Sequence, residues 1–236
     1  MGLYFQQLKA GRDFGRRDPA AEQMNNFIYL IGDTVTRQAV VVDPAWDIAA
    51  VLGRLEADGM ELTGALVTHY HPDHVGGHLF GHDISGLAEL LAARPVKVYA
   101  NAHEIDGLQA VTQLSRSDFT AVAGGDSLPI GEVEIQFLHT PGHTPGSQCF
   151  LVNGSGLVAG DTLFIGACGR VDLPGSDPKA MYESLTQKLA RLPDEVVLYP
   201  GHDYGPTPTD TMGSQKHTNP YLQARNLQDW LRTRGV

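Results

Sequence analysis

The chain has 236 residues, of which 42% are apolar and 19% are charged, and a formal net charge of -10. This composition suits one domain with a substantial core and excludes a disordered or fibrous chain. An acidic chain without a basic cluster is also not typical of a nucleic-acid binder. Two cysteines cannot form a disulfide framework, and no apolar run approaches 18 residues, so we expect a cytoplasmic protein without a membrane span.

The first half of the chain alternates between strand and helix patterns. Short apolar runs predict an antiparallel strand pair around Gly32 and Asp33, and apolar spacing of i, i+3, i+4 and i+7 predicts the first helix. The predicted strands are 27–31, 39–42, 65–67 and 96–99, and the predicted helices are 47–57, 87–91 and 102–114. The strand at 65–67 leads directly into the densest polar cluster of the chain.

The second half contains more strands and one long helix. The predicted strands are 133–137, 149–152, 157–159 and 196–199, the predicted helix is 178–192, and residues 205–211 are expected to begin an irregular tail. Strands in antiparallel groups with helices between them favour an α/β fold of the αββα sandwich type, with two mixed sheets and helices on the outer faces. We expect one domain, 1–236, with its core at about 20–204 and a short tail at 205–236.

Candidate metal ligands are concentrated after the strand at 65–67. Residues 68–74 read THYHPDH, so that four potential ligands occupy six positions. His69 and His71 are two residues apart in an extended chain and point to the same side, where both can bind one metal ion. Asp73 and His74 follow where the chain turns and can face a second metal ion. Imidazole and carboxylate without thiolate suit zinc, iron or manganese.

Three later segments repeat one pattern, in which an apolar strand ends at a potential ligand. These ligands are His143 in HTPGH, Asp161 in VAGD, and His202 in LYPGH. Strand ends that emerge at one edge of a sandwich can converge on one site. The sequence therefore predicts a single metal-binding site made of distant segments.

These motifs resemble those of the metallo-β-lactamase superfamily. The matching elements are VVDP with Asp43, THYHPDH, TPGHTPGS, the Gly160–Asp161 pair and the Gly201–His202 pair, which occur in family order between about 27 and 204. The resemblance implies that one metal is held by His69, His71 and His143, and the other by Asp73, His74 and His202. Asp161 would bridge them, and Asp73 would act as the catalytic residue that orients the attacking hydroxide.

Two further motifs resemble particular members of the superfamily. GDTLFIGACGR at 160–170 and PGHDY at 200–204 are similar to glyoxalase II (hydroxyacylglutathione hydrolase) and to the related persulfide dioxygenases. The resemblance implies that Arg170 and Tyr204 contact the glutathione part of a substrate. The form YPGHDYG is closer to the dioxygenases, which use one iron held by residues matching His69, His143 and Asp161.

For the remaining candidate residues we expect structural roles. Five histidines outside these motifs are expected to be ordinary structural or surface residues: His78, His82, His103, His139 and His217. Asp43 is expected to orient the loops behind the metal ligands. Cys149 is expected to be buried and inert, and Cys168 lacks a paired base for a nucleophilic role. Arg170 could instead pair with Asp172.

The sequence thus predicts a metal-dependent hydrolase that cleaves a thioester of glutathione or a similar small thiol, with two divalent metal ions, zinc foremost. The alternative is a persulfide dioxygenase with a single Fe(II). A lactonase or β-lactamase has the same ligands, whereas a non-catalytic scaffold is expected to have lost some of them. The expected partner is a small thiol-linked molecule and not a nucleic acid or a membrane. The resemblance also allows a homodimer.

Overall fold

Two six-stranded β-sheets form the centre of the fold in the computed structural model, which describes residues 2–16 and 18–235. The strands in chain order are β1 Leu3–Lys9, β2 Phe27–Asp33, β3 Gln38–Val42, β4 Glu61–Leu66, β5 Gly77–Leu79, β6 His82–Ile84, β7 Lys97–Asn101, β8 Phe119–Val122, β9 Ser127–Ile130, β10 Val133–His139, β11 Gln148–Val152, β12 Gly156–Val158, β13 Leu163–Phe164, β14 Ala167–Cys168, β15 Val197–Tyr199 and β16 Asp210–Thr211. The sheet orders are β1-β2-β3-β4-β7-β8 and β16-β15-β12-β11-β10-β9. Strands β5 and β6 form a separate hairpin, as do β13 and β14.

Both sheets are mixed, as predicted. In the first, β1, β2 and β3 are antiparallel, whereas β3, β4, β7 and β8 run parallel through helical crossovers. In the second, β15 runs parallel to β12 while the other neighbours are antiparallel. Parallel neighbours need a crossover connection, which explains why helices interrupt the strands of the first sheet.

The helices cover the outer faces of the sheets. They are α1 Pro19–Met24, α2 Ile48–Ala57, α3 Pro72–Val75, α4 Leu87–Ala93, α5 Ile105–Thr112, α6 Pro178–Glu183, α7 Met212–Thr218 and α8 Leu227–Arg234. Helix α6 continues as a π turn at Ser184–Lys188 and a 3-10 turn at Leu189–Arg191, and another 3-10 turn lies at Arg116–Asp118. Among the helices of the described ranges, none is long and apolar enough to cross a membrane.

Three apolar clusters divide the interior into layers. On β2, Phe27, Tyr29 and Ile31 belong to the cluster between the two sheets, whereas Ile28 and Leu30 belong to the cluster beneath the helices. This alternation follows from the two-residue period of a strand, and it requires β2 to be buried on both faces. A third cluster lies between the second sheet and helices α6, α7 and α8. The predicted αββα sandwich is therefore confirmed.

Most predicted elements are present, with shifted ends. The helix predicted at 47–57 begins at the N-cap residue Asp47, whose side chain accepts a hydrogen bond from the Ala50 amide, and it ends at Ala57. The helix predicted at 178–192 is regular only to Glu183, although its apolar residues Met181, Leu185 and Leu189 are all fully buried.

The segments outside 20–204 also contribute to the packed structure. Strand β1 was not predicted, yet it pairs with β2 along its whole length. The prediction that 205–211 begins an irregular tail is wrong beyond 209, because β16 pairs with β15 and α7 and α8 follow. The apolar residues Met212 and Trp230 explain this outcome, since both are fully buried against the second sheet.

Replacing Trp230 by Ala is expected to lower the free energy of unfolding by about 3–5 kcal/mol, because it leaves a large cavity in a closed apolar cluster. Chemical denaturation measures this change. Arg232→Ala on the exposed side of α8 is the control, with an expected change within about 0.5 kcal/mol. Equal stability of the two variants would mean that α8 unfolds independently of the sandwich.

Candidate metal centre

The predicted ligands meet at one edge of the sandwich, where strands from both sheets end. The segment 68–74 follows β4, and His143 lies in the loop between β10 and β11. Asp161 follows β12, and His202 follows β15. The structure brings all seven predicted ligands together: six of them form two sets of three, and two of these six, His69 and His74, also form a third group with Asp43 behind them. In each set the donor atoms lie within 4.8 Å of one another.

The first set consists of three imidazoles. Nδ1 of His71 lies 3.1 Å from Nε2 of His69 and 2.9 Å from Nε2 of His143. The rings are steeply inclined to one another, with centroids 4.6–4.8 Å apart. Three ring nitrogens therefore point at a common volume, as tetrahedral metal sites with three histidines require.

The second set combines one carboxylate with two imidazoles. Asp73 and His74 lie on α3, a single turn that begins at Pro72. Nε2 of His74 lies 3.2 Å from Nε2 of His202, and Oδ2 of Asp73 lies 3.4 Å from each of them. The turn at Pro72 redirects the chain, and this places Asp73 and His74 beside the first set.

Asp161 lies between the two sets. Its Oδ1 is 3.3 Å from Nε2 of His74 and 3.4 Å from Nε2 of His202, and its Oδ2 is 3.5 Å from Nε2 of His143. Oδ1 is buried, and no described residue reaches it in hydrogen-bond geometry despite the two nearby imidazoles, which is costly for a carboxylate oxygen. A metal ion on each side of this carboxylate would satisfy it.

Hydrogen bonds behind the ligands fix which nitrogen faces inward. Nδ1 of His143 donates to the carbonyl of Arg170, and Nδ1 of His202 donates to the carbonyl of Met24, both at 2.8 Å. Because a carbonyl only accepts, the outer nitrogen of each ring bears a proton, and the inner nitrogen has a lone pair whenever the ring is neutral. Inner lone pairs that face one another repel, and a bound cation removes the repulsion. The donor set therefore fits divalent metal ions.

Asp43 orients ligands of both sets from behind, as predicted. Its Oδ2 accepts from Nδ1 of His74 at 3.0 Å and from Oγ1 of Thr68 at 2.6 Å, and its Oδ1 accepts from the Thr68 amide at 2.7 Å. The Thr68 hydroxyl lies 3.0 Å from Nδ1 of His69 and can accept its proton. Such outer carboxylates fix the tautomer and direction of a ligating imidazole.

The local charges favour metal binding at His71 and Asp161, whereas a proton competes with the metal at His74. Burial, followed by the neighbouring His143, lowers the pKa of His71 to about 4, which keeps this imidazole neutral. Burial raises the pKa of Asp161, but the imidazoles of His202 and His74 outweigh it, so the pKa lies well below its usual value. In the second set, burial lowers the pKa of His74, yet the charges of Asp73 and Asp161 raise it overall. Metal binding there would release a proton.

The carboxylate of Glu104 connects the two loops that carry the first set, and the sequence analysis did not identify it. Oε2 accepts from the Tyr70 amide at 2.8 Å, between His69 and His71. Oε1 accepts from Oγ1 of Thr144 at 2.8 Å and from the Gly146 amide at 2.5 Å, just after His143. Burial raises its pKa to about 7, against these three hydrogen bonds. Glu104 is a positioning residue for both loops.

Glu104→Gln is expected to lower metal affinity about 10–100-fold. The NH2 group of glutamine would face a hydrogen-bond donor that now faces a carboxylate oxygen, and the loop that carries this donor would have to move. Chelator competition measures the affinity. The control is Glu183→Gln, a partly exposed acid on α6 that lies 3.9 Å from Nζ of Lys179. Wild-type metal affinity in Glu104→Gln would contradict the positioning role.

Asn26 and Trp46 are two further residues that the sequence analysis missed. The side-chain amide of Asn26 donates to Oδ2 of Asp73 at 3.0 Å. Nε1 of Trp46 lies 3.1 Å from both Oδ1 of Asn26 and the carbonyl of Asp73. Together they fix the orientation of the Asp73 carboxylate. Asn26 directly precedes the predicted strand 27–31, and no local sequence motif distinguishes it from an ordinary polar residue.

The predicted substrate residues Arg170 and Tyr204 line a cavity of about 700 Å³ in front of the metal ligands. Arg170 forms two hydrogen bonds to Asp172, at 2.9 and 2.8 Å, on the protein surface. The ring of Tyr204 stacks on His202, with centroids 4.6 Å apart and an interplanar angle of 9°. Arg170 thus already has an anionic partner, which was the alternative considered for it.

The two cysteines and the histidines outside the ligand motifs lie where structural or surface roles are expected. Both cysteines are buried, and burial raises the pKa of Cys149 to about 11 and that of Cys168 to about 12, so neither is a ready nucleophile. His103 stacks on His139 away from the ligands, and His78 pairs with Asp83 on the surface. His82 and His217 are exposed.

Comparison with known sequences identifies the protein family to which this chain belongs. The model of the metallo-beta-lactamase superfamily matches residues 22–202. A probable polyketide biosynthesis zinc-dependent hydrolase, BaeB of Bacillus velezensis, is 31% identical over 91% of this chain and 89% of its own. Human mitochondrial persulfide dioxygenase ETHE1 is 32% identical over 83% and 71%, and a hydroxyacylglutathione hydrolase of Alkalilimnicola ehrlichii is 40% identical over 76% and 62%.

Solved structures agree with the sequence comparison. ETHE1 from Myxococcus xanthus has a TM-score of 0.78 and 26% identity, and the match covers 98% of this chain and 90% of that one. TTHA1623 in a di-iron-bound form has a TM-score of 0.68 and 30% identity over 84% and 96%. With the family model covering most of the chain and the ligands in place, the chain belongs to the metallo-beta-lactamase superfamily.

Proposed function

We propose that this protein is a thioesterase that hydrolyses an acyl thioester of glutathione or a similar small thiol at a dinuclear metal site, preferably with zinc. The observation that carries the proposal is the arrangement of six ligands in two sets of three, with the buried Asp161 between them. A site for one metal ion needs only one such set. The similarity to the hydroxyacylglutathione hydrolase and to the zinc-dependent hydrolase points to the same reaction class.

The chain's own residues have defined tasks in this proposal. When bound, the metal pair lowers the pKa of water from ~15.7 toward ~7 and supplies a nucleophile at neutral pH. Asp73 faces the cavity and can accept a hydrogen bond from the attacking oxygen, and Asn26 holds its carboxylate in that orientation. Asp161 fixes the distance between the two sets. Tyr204, stacked on His202, lies at the wall where the thiol part of the substrate enters.

A second candidate is a persulfide dioxygenase with one Fe(II) on His69, His143 and Asp161. Similarity to human ETHE1 and the TM-score of 0.78 to the bacterial ETHE1 favour it. Nε2 of His143 and Oδ2 of Asp161 are 3.5 Å apart, which places both donors on one side of the site. Two imidazoles and one carboxylate leave coordination positions open for substrate and oxygen.

Parallel assays separate the two candidates. Protein loaded with zinc is tested for hydrolysis of S-lactoylglutathione and of acetyl thioesters, and protein loaded with Fe(II) is tested for oxygen uptake with glutathione persulfide. His202→Ala is included because only the dinuclear site needs this ligand. We expect hydrolysis in the wild type and at least about 100-fold less in the variant. Oxygen uptake that His202→Ala leaves unchanged, without hydrolysis, would favour the dioxygenase instead.

A further inference from the structure

The hairpin of β5 and β6 has an exposed apolar tip beside the metal ligands. Phe80 is 86% exposed, although its side chain lines the same cavity as His71 and His143. The two turn residues, Phe80 and Gly81, have positive φ values of 50° and 85°, as in type I′ hairpin turns. Phenylalanine is unfavourable at this position for two reasons. A positive φ is adopted more readily by asparagine or glycine, and a large apolar side chain is exposed to solvent.

The hairpin is held firmly at its base, so the tip has a defined position. A Cβ atom on Gly76 would lie 2.6 Å from the Cα of Gly86, which means that the two backbones touch where the hairpin begins and ends. The amide of Trp46 donates to the carbonyl of Ser85 at 2.8 Å. Because the hairpin starts three residues after His74 and is anchored at its base, its tip lies beside the candidate ligands.

The walls of the cavity are mainly apolar. Leu79 and Phe80 of the hairpin form one part of the wall, and Leu173 and Pro174 form another. The hydroxyl of Tyr70 donates to the carbonyl of Pro174 at 3.3 Å and holds that loop to the segment of the ligands. A volume of about 700 Å³ is ample for a small molecule with an apolar chain.

Few cationic side chains line this cavity. Among its described lining residues, the cationic side chains are those of Arg170 and Arg234. Arg170 pairs with Asp172, and Arg234 lies over the ring of Tyr221 at 5.9 Å. Much of the cavity wall therefore suits an apolar group of the substrate.

We propose that Leu79 and Phe80, with Leu173 and Pro174, form a subsite for the apolar acyl chain of the substrate, and that Phe80 determines specificity for chain length. The preferred substrate is then a thioester with an apolar acyl chain of medium length. This inference rests on the proposed thioesterase function. Burial of each additional methylene against the hairpin and the 173–174 segment supplies the selectivity.

The test compares wild type, Phe80→Asn and Phe80→Leu, each loaded with zinc. Asparagine removes the apolar group and suits the positive φ, so the fold is kept, and leucine restores an apolar contact. Val35→Asn is the matched control, because Val35 is also exposed, at 73%, but lies outside the cavity. Hydrolysis of acetyl, hexanoyl and decanoyl thioesters of N-acetylcysteamine is measured, together with calorimetric binding of the non-hydrolysable butyl and decyl thioethers.

Wild type and Val35→Asn are expected to bind the decyl thioether at least about 30-fold more tightly than the butyl thioether, with kcat/KM rising in parallel. Phe80→Asn is expected to reduce this ratio to about threefold, and Phe80→Leu to recover most of it. Equal ratios in wild type and Phe80→Asn, or no chain-length preference in wild type, would overturn the subsite. Chain-length-dependent thioether binding without any thioester hydrolysis would overturn the thioesterase proposal and leave the apolar subsite standing.

Discussion

Replacing Asp161 by Asn is expected to lower thioester hydrolysis by at least about 1,000-fold while the fold is retained. One oxygen of Asp161 faces His74 and His202, and the other faces His143. Asparagine has nearly the same shape but only one acceptor oxygen and no charge, so it cannot serve both sets of ligands. Steady-state kinetics and elemental analysis of the same preparation measure the loss of turnover and of metal.

Asp106→Asn is the control for this change, because the Asp106 side chain is 90% exposed and its ion pair with Arg116 lies on the surface. It makes the same chemical substitution far from the ligands, and we expect wild-type turnover and metal content. Wild-type turnover in Asp161→Asn as well would show that the carboxylate does not connect two metal ions, and the dinuclear account would then be wrong.

Replacing His71 by Ala is expected to abolish hydrolysis and to remove most of the bound metal. Nδ1 of His71 lies within about 3 Å of Nε2 of both His69 and His143, so its loss leaves the first set with two ligands. The His71 pKa of about 4 means that this imidazole is neutral at every pH near 7, and protonation does not compete with the metal there. Turnover and metal content are measured between pH 6 and 8.

His78→Ala provides the comparison for His71→Ala, since His78 is an exposed histidine that pairs with Asp83 on the hairpin. It is expected to keep the metal of the wild type. Full turnover of His71→Ala in metal-free buffer would contradict a metal-dependent mechanism altogether.

The candidate metal ligands are recognisable in the sequence because their signal is local. His69, His71, Asp73 and His74 lie within six positions, and the glycine next to each of Asp161 and His202 marks a turn at a strand end. Which strand ends meet could only be inferred from the repeated pattern and the family resemblance. The structure shows the reason: those strands lie in two sheets that end at one common edge.

Residues that act on the ligands from a distance could not be predicted in this way. Glu104 lies near the start of a helical pattern, where an acidic residue is ordinary, and its three partners are 34 to 42 residues away. The pairing of Arg170 with Asp172 was visible as an alternative because the two residues are near neighbours. Strand β1 and helix α8 were missed because each depends on burial against strands or helices that lie far away in the sequence.

Metal content per chain, measured by elemental analysis of protein purified without added metal, tests the central claim most directly. The account predicts two zinc ions per chain, with hydrolysis of thioesters lost on chelation and restored when zinc is added back. One iron ion per chain, with oxygen uptake on glutathione persulfide and no thioester hydrolysis, would contradict it.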